Sequence, residues 1–320
     1  MIIQSDRLVK NPIISVAVTT YNHETYLRDC LDNILSQKIS VPIEIIIAED
    51  CSTDATRAIC KEYQERYPHL IVLLLQEENR GLLRNFKDLL GLCRGPYIAE
   101  CSGDDYWCDD TKLQKQYDFL ASHPDYGVVH TKGYELRNGK LCDTNGGHIA
   151  VEGDAREIAV YGPIGIASSI FFRRELLAYI DMDDIIRREI SMEDYPMNAI
   201  FAHHTYFTTL KEKMVVYRVL NGSISHARAV KYVVGYQEAR RLIKDMYPDE
   251  VPWTYEDIND AEDYARLKDC YFRFDWRGAK QLCFNTAGYR NRVLVRYRAN
   301  YLVFIILSII LHFKRSIQSN

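Results

Sequence analysis

Three features are missing from the sequence, and each absence argues against a class of protein. The nine cysteines include no C-x-x-C pair and follow no regular spacing, which argues against a thiolate zinc site and against a disulfide framework. The first eleven residues lack the basic-then-apolar order of a secretory signal, so we expect a cytoplasmic protein. The formal net charge of -4 leaves no basic excess for tracking phosphates, so nucleic acid is not an expected partner.

The C-terminal region contains no acidic residue after Asp275, although lysines and arginines are frequent there. Within it, residues 301–313 form an apolar run that is too short to span a bilayer of about 30 Å, which needs roughly 20 residues in a helix. Because cations flank this run, the pattern favours peripheral contact with anionic headgroups on the inner face of the cell membrane. Packing on the protein core or in a dimer interface is the alternative.

Short apolar runs alternate with longer mixed segments between Ile13 and Ser102, which is typical of parallel strands joined by covering helices. The pattern predicts an α/β fold with a Rossmann-like, mostly parallel sheet flanked by helices. Ligands bind such sheets beyond the carboxyl ends of the strands. The predicted strands are Ile13–Thr19, Ile43–Glu49, Ile71–Gln76 and Tyr97–Ser102, and the predicted helices are Glu24–Ser36, Thr53–Tyr67 and Leu82–Cys93.

The rest of the chain has weaker patterns. A helix is expected at Thr111–Ser122 and a short strand at Gly127–His130, whereas Thr131–Ser225 shows no clear period. From residue 227 onward the pattern is largely helical, which predicts a helical C-terminal extension.

Two adjacent carboxylates, Asp104 and Asp105, follow the predicted strand Tyr97–Ser102. Carboxylates side by side at the end of a buried strand repel each other and are costly to desolvate unless a cation or hydrogen-bond donors compensate. A divalent cation that bridges a ligand's phosphates is the usual solution, so this pair suggests a metal site. The alternative is an acidic turn that precedes the helix at Thr111.

Three segments together closely resemble family 2 glycosyltransferases of the GT-A fold: Val16–Asn22, Glu44–Asp54 and Gly103–Trp107. The resemblance covers roughly residues 12 to 226. It implies a nucleotide-sugar-binding half at residues 1–130, an acceptor-binding half at residues 131–226 and an inverting mechanism. The helical extension at residues 227–320 follows these two halves.

The resemblance assigns five residues to the nucleotide-sugar donor. Thr19 and Tyr21 match residues that hold the nucleobase, and Asp50 matches the carboxylate that accepts a hydrogen bond from the uracil imide, which implies a UDP-sugar. Arg84 matches a position that meets ribose or pyrophosphate, and Asp104 would face the ribose. The alternatives are an ordinary loop aromatic for Tyr21, a helix N-cap for Asp50 and a solvent-facing charge for Arg84.

The resemblance also implies a divalent cation, Mn²⁺ or Mg²⁺, with Asp105 and His226 as its protein ligands. Asp194 lies in an acidic segment that resembles the acceptor-side motif whose second carboxylate is the catalytic base. The alternatives are a structural histidine at position 226 and a helix start at Asp194. Trp107, next to the acidic pair, is a candidate for stacking on a sugar face, with core packing as its alternative.

The expected activity is therefore transfer of a single sugar to a hydroxyl of a glycan or lipid-linked acceptor, in the biosynthesis of a surface glycan or polysaccharide. The polymer synthases of the family carry a Q-x-x-R-W motif and several membrane helices, and this sequence has neither. A nucleotidyltransferase is a rival reading, but Thr19–Glu24 contains no glycine or lysine for a phosphate loop. A non-catalytic nucleotide-sugar-binding or scaffold protein is the other alternative.

Overall fold

A computed structural model describes residues 1–143, 150–160, 162, 164–220, 230–259, 261, 262 and 266. The chain divides into two compact units, Met1–Pro252 and Trp253–Asn320, and every element described below belongs to the first unit. The division into functional halves at residues 130 and 226 stays a prediction.

The first unit contains strands and helices in alternation over most of its length. Its strands are β1 (Ile2–Ile3), β2 (Ile14–Thr20), β3 (Ile43–Glu49), β4 (Ile71–Leu75), β5 (Tyr97–Ser102), β6 (Tyr106–Trp107), β7 (Tyr126–Arg137), β8 (Lys140–Asp143), β9 (Glu152–Gly153), β10 (Phe171–Arg173) and β11 (Tyr206–Arg218). Its α-helices are α1 (Leu27–Leu35), α2 (Thr56–Arg66), α3 (Leu82–Leu92), α4 (Lys112–Ser122), α5 (Arg156–Ala159), α6 (Met182–Arg187), α7 (Asp194–Phe201) and α8 (Val230–Met246). Two 3₁₀ turns lie at Ala167–Ser169 and Arg174–Tyr179.

All of these strands belong to one sheet, in the order β1-β4-β3-β2-β5-β10-β7-β11-β6, with β8 paired to β7 and β9 to β11. Strands β4, β3, β2 and β5 run parallel. Strand β10 is antiparallel to both of its neighbours, and β7 is parallel to β11. The predicted α/β fold with a mostly parallel sheet is therefore confirmed, and the apolar runs form strands because both faces of the sheet are covered.

Side chains of the central strands alternate between two layers of helices. One face packs on α1, α2 and α4 and forms the main apolar core, which includes Val16, Ile45, Cys101 and Leu31. The opposite face carries Phe172 of β10, whose ring packs on Phe201 of α7 with centroids 5.3 Å apart. Helix α7 therefore covers the second face of the sheet.

The structure differs most from the predicted elements at three places. Helix α2 begins at Thr56 rather than Thr53. The first helix begins at Leu27 rather than Glu24, because the backbone N–H groups of His23 and Glu24 donate to the side chains of Thr56 and Asp54. The region after His130 is also more regular than its sequence indicates, because β7 continues to Arg137 along β11.

In the part of the chain that the structure describes, no helix is both long enough and apolar enough to cross a membrane. The predicted membrane-contact segment at residues 301–313 lies outside the described residues, and so does His226.

Candidate active site

The loops that follow β2, β3 and β5 are joined directly at the carboxyl edge of the sheet. The N–H of Asp50 donates to the carbonyl of Thr20 at 3.1 Å, and the N–H of Gly103 donates to the carbonyl of Thr19 at 2.8 Å. The parallel register of β2 with β3 and β5 imposes this meeting. Thr19, Asp50 and Asp104 are therefore brought to one crevice, at the position where this class of sheet binds ligands.

Asp50 is buried and organises the loop that leads into α3. Its two carboxylate oxygens accept the backbone N–H groups of Arg80 at 2.7 Å and of Gly81 at 2.9 Å. Burial raises the pKa of the Asp50 carboxyl, and the two N–H groups oppose that rise. Helix α2 begins only at Thr56 with Ala55 as its N-cap, so the alternative reading of Asp50 as that helix's cap is wrong.

Glu49, immediately before Asp50, is fully buried and shapes the same loop. Its Oε1 accepts the backbone N–H of Ser52 at 2.5 Å, and its Oε2 is ion-paired with Arg57. Cys51, two residues after Glu49, adopts a positive φ of 58°, which turns the chain sharply after the strand. The Arg57 guanidinium therefore compensates the buried charge of Glu49.

Tyr21 and Arg84 are the two donor-site candidates with the most accessible side chains. Tyr21 is 41% exposed at the end of β2. Arg84 is exposed in the first turn of α3 and has no ion pair within the described residues. Both side chains are therefore accessible to a ligand in the crevice, as a base-stacking ring and a phosphate-binding guanidinium require.

Asp104 and Asp105 have different environments. Asp105 is 2% exposed, and its carboxylate accepts the Ser168 hydroxyl at 2.5 Å and the backbone N–H of Arg218 at 2.9 Å. Burial and the neighbouring charge of Asp104 raise the pKa of Asp105 well above its ordinary value. The side chain of Asp104 is partly exposed and lies 3.9 Å from Nε2 of His23. The carboxyl of Asp105 is thus fixed by hydrogen bonds, whereas the carboxyl of Asp104 is partly accessible to solvent.

Ser168 and Arg218 complete this site, and the sequence assigned neither residue an individual role in it. Ser168 accepts the N–H of Ser102 at 3.0 Å while it donates to Asp105. The Arg218 guanidinium donates to the Asp104 carbonyl at 2.8 Å and to Asp29 at 2.7 Å, and it lies over the Tyr106 ring at 4.6 Å. No local spacing in the sequence indicates either residue, because their partners lie in distant segments.

Gly103 permits the close approach of β2 and β5 at the crevice. A Cβ at this position would lie 2.7 Å from Oγ1 of Thr20 and 2.9 Å from Nδ1 of His23. Both of these atoms are buried and have no hydrogen-bond partner in the described part of the chain. Burial lowers the pKa of His23, and the charge of Asp104 opposes that shift, so the imidazole beside the acidic pair is biased toward its neutral form.

Asp194 is the first residue of α7, and Glu193 is its N-cap. The backbone N–H of Tyr195 donates to Oδ1 of Asp194 at 2.8 Å. Burial raises the pKa of Asp194 to about 6, and burial together with the charge of Asp194 raises the pKa of Glu193 to about 7. The same two charges act on Glu100 of β5, the strand that leads into Asp104 and Asp105. The charge of Asp194 therefore acts on the strand that leads into the acidic pair.

The hypothesis that Trp107 stacks on a sugar is wrong. The Trp107 side chain is 1% exposed, its Nε1 donates to the Ser168 carbonyl at 2.9 Å, and the Lys112 ammonium lies 4.1 Å from the ring centroid. The indole is therefore part of the core, and its hydrogen bond to the Ser168 carbonyl helps to position Ser168.

The described residues contain no group of three His, Cys, Asp or Glu side chains arranged to hold a metal ion. Cations that bind a nucleotide's phosphates commonly use only one or two protein carboxylates, and the phosphates and water supply the other ligands. No described lysine or arginine forms an ion pair with the carboxylate of Asp104 or Asp105. This excess of negative charge fits a divalent cation at the pair.

Comparison with known proteins relates the chain to enzymes that transfer sugars. The sequence model of glycosyl transferase family 2 matches residues 15–181. The putative teichuronic acid biosynthesis glycosyltransferase TuaG of Bacillus subtilis is 38% identical over 240 residues, which cover 72% of this chain and 90% of TuaG. An uncharacterized protein of Mycobacterium tuberculosis is 47% identical over 115 residues, 36% of this chain; the match covers 33% of that protein, so this chain spans about a third of its length.

Solved structures share the fold. Staphylococcus aureus TarS in complex with UDP-GlcNAc superposes with a TM-score of 0.61 at 18% identity, over 84% of this chain and 78% of TarS. The mannosyltransferase PcManGT of Pyrobaculum calidifontis, in complex with GDP-Man and Mn²⁺, gives a TM-score of 0.56 at 19% identity, over 93% of this chain and 81% of that protein. At these identities the likeness establishes the fold.

Proposed function

The chain belongs to glycosyl transferase family 2, and from this membership we propose that it transfers one sugar from a UDP-sugar to an acceptor hydroxyl with inversion at the anomeric carbon. The observation that carries the proposal is that strand β5 links the acidic pair to Asp194. This strand leads into Asp104 and Asp105 at the crevice, and Glu100 within it interacts electrostatically with Asp194. One strand thus connects the proposed donor and acceptor sides of the site.

Donor binding is assigned to the loops after β2, β3 and β4. Tyr21 would stack on the nucleobase, and Thr19 would lie beside it. Each Asp50 oxygen accepts one backbone N–H and keeps a further lone pair for the imide N–H of uracil. Arg84 would meet the ribose or the diphosphate, and Asp104 would face the ribose. An acceptor at Asp50 suits any base that presents an N–H, and the match of Asp50 to the family's uracil-binding carboxylate is what favours UDP.

A divalent cation, Mn²⁺ or Mg²⁺, would be held at Asp105, with His226 as a further ligand. When bound, such an ion neutralises the charge that develops on the departing diphosphate. Within the chain, Ser168 and Arg218 fix the Asp105 carboxylate, so its orientation is set before any ligand arrives. The PcManGT complex contains Mn²⁺, which agrees with this assignment.

Asp194 is the proposed general base. The acceptor hydroxyl gives its proton to the Asp194 carboxylate while its oxygen attacks the anomeric carbon, and the bond from that carbon to the diphosphate oxygen breaks with the electron pair going to the diphosphate. Because attack comes from the face opposite the leaving group, the configuration inverts. A pKa of about 6 leaves most of Asp194 ionised at neutral pH and still basic enough to accept the proton.

The proposed setting is the biosynthesis of a surface glycan or polysaccharide, with a glycan or lipid-linked acceptor. Similarity to TuaG over 90% of its length supports this setting. Peripheral contact of residues 301–313 with the inner face of the cell membrane is part of the same proposal.

The test is a thermal-shift screen of nucleotide sugars with Mn²⁺ or with EDTA, followed by transfer assays with the ligand that stabilises the protein. A ligand that binds only the native state raises the melting temperature. We expect a UDP-sugar to stabilise the protein in Mn²⁺ and much less in EDTA, and the product of transfer to have inverted anomeric configuration by NMR. Binding without turnover would favour the scaffold alternative, and retention of configuration would contradict the mechanism.

A further inference from the structure

Glu100 is a buried carboxyl to which the proposed mechanism assigns no proton. It is 7% exposed on β5, and its Oε1 is buried with no hydrogen-bond partner in the described part of the chain. Burial of an unpartnered carboxylate is costly, whereas a neutral carboxylic acid avoids most of that cost. The position therefore favours a protonated side chain.

Helix α7 lies over the sheet face that carries Glu100. Side chains alternate along β5, so Glu100 shares a face with Ile98, and the register places Ile98 opposite Phe172 of β10. Phe172 packs on Phe201 of α7. The acidic start of α7 is therefore on the same side of the sheet as Glu100.

Glu193, the N-cap of α7, also has a buried carboxyl oxygen, Oε2, without a hydrogen-bond partner among the described residues. After burial itself, the charges of Glu193 and Asp194 are the largest causes that raise the pKa of Glu100, so the three carboxyls interact. Two orphan carboxyl oxygens on facing elements are both satisfied when one of them carries a proton and donates it to the other.

We propose that Glu100 is a positioning residue that keeps its proton and donates it in a hydrogen bond to Glu193. This inference rests on the proposed function, because its consequence concerns Asp194 as the base. The hydrogen bond favours the ionised form of Glu193, and the charge on Glu193 raises the proton affinity of its neighbour Asp194. Glu100 thereby strengthens the base without touching the substrate. Lys112 of α4 is the nearby cation, and its charge lowers the pKa of Glu100, whereas burial and the charges of Glu193 and Asp194 raise it. Other titratable groups on the surrounding elements are His130 of β7 and Tyr232 and Tyr236 of α8.

The proton on Glu100 is measurable without any assay of transfer. Protein labelled with ¹³C at the glutamate carboxyl carbon is titrated by NMR, and the Glu100 and Glu193 signals are assigned by their loss in the variants Glu100→Gln and Glu193→Gln. We expect Glu100 to be protonated at pH 7 and to ionise above it. A Glu100 carboxyl that is fully ionised at pH 6 overturns the proposal, whether or not the protein is a glycosyltransferase.

The hydrogen bond is tested by comparing two substitutions of similar size. In Glu100→Gln the amide still donates to Glu193, so the pKa of Glu193 and the acid limb of the pH profile of kcat/KM should stay in place. In Glu100→Met the hydrogen-bond donor is lost, so the pKa of Glu193 should rise by about one unit. Because Glu193 is then less often ionised, the pKa of Asp194 should fall. The acid limb of the pH profile, which reports Asp194, should therefore move to lower pH by about half a unit or more. If both variants match the wild-type profile, Glu100 has no such role.

Glu44→Gln is the matched control. Glu44 is also fully buried on a central strand, but it is ion-paired with Arg94 and bonded to Ser15, away from α7. Its substitution should lower the melting temperature without moving the acid limb. If Glu100→Met does not fold, the NMR titration of the wild-type protein and of Glu100→Gln still decides the proposal, since Gln is isosteric with the protonated acid.

Discussion

The backbone N–H of Arg218 donates a 2.9 Å hydrogen bond to Oδ1 of Asp105, although the two residues are 113 positions apart. The same arginine's guanidinium donates to the carbonyl of Asp104. The end of β11 thus holds both residues of the acidic pair, one by its side chain and one by its backbone.

Replacement of Arg218 by Met should loosen the acidic pair. The substitution removes two side-chain hydrogen bonds and the stacking on Tyr106, and we expect the free energy of unfolding to fall by about 2–3 kcal/mol and the donor KM to rise. Chemical denaturation and initial-rate kinetics measure these effects. Arg137→Met is the control, because Arg137 is exposed and its one ion pair among the described residues is with Glu135. If the two substitutions change the free energy of unfolding and the donor KM equally, Arg218 does not organise the acidic pair.

Asp50→Asn should weaken the loop before α3. An amide has one acceptor oxygen, so the N–H of either Arg80 or Gly81 loses its partner, at a cost of about 1–3 kcal/mol in the free energy of unfolding. Donor affinity should fall at the same time, as isothermal titration with UDP measures. The exposed Asp6→Asn is the control. Unchanged affinity for UDP would show that Asp50 shapes the loop without contacting the base.

Gly103→Ala should damage the crevice through a single methyl group. The new Cβ would lie 2.7 Å from Oγ1 of Thr20, so β5 or the loop after β2 must shift. We expect a lower melting temperature and at least about tenfold weaker donor binding, because small displacements at a ligand site are costly. Gly91→Ala is the control, since its Cβ meets nothing within 4 Å and alanine favours a helix interior. Normal donor binding by Gly103→Ala would contradict the close packing described for this edge.

The raised pKa of Asp194 should make both the activity and the stability of the protein depend on pH. Its folded-state pKa is raised from 3.8 to about 6, so the folded protein binds this proton more tightly than the unfolded chain does. Stability from this group is therefore full below about pH 4 and is lost as pH rises through about 6. Asp194→Asn should be more stable than the wild type at pH 8, with the difference shrinking toward pH 4 in thermal melts. Activity of the wild type should rise with pH through about 6, and an equal stability difference at both pH values would contradict the burial of this carboxyl.

Local pattern was sufficient to predict which strand ends meet at the edge where we propose that the donor binds. The carboxyl ends of parallel strands meet at one edge, so Asp50 and Asp104, which directly follow strands, could be placed together from the sequence. Ser168 and Arg218 could not, because they reach Asp105 from 63 and 113 residues away and nothing in their neighbouring sequence records that contact. Strand β7 was predicted too short for a related reason, since its polar second half is a strand only through pairing with β8 and β11.

The most direct test of the proposed mechanism compares Asp194→Asn with the wild type in two measurements on the same preparation: UDP-sugar affinity and the rate of sugar transfer at saturating donor. We expect UDP-sugar affinity to stay within about twofold, because in the proposed mechanism Asp194 does not contact the nucleotide. We expect transfer to slow by about 10²–10⁴-fold through loss of the general base. Transfer at the wild-type rate by Asp194→Asn would contradict it.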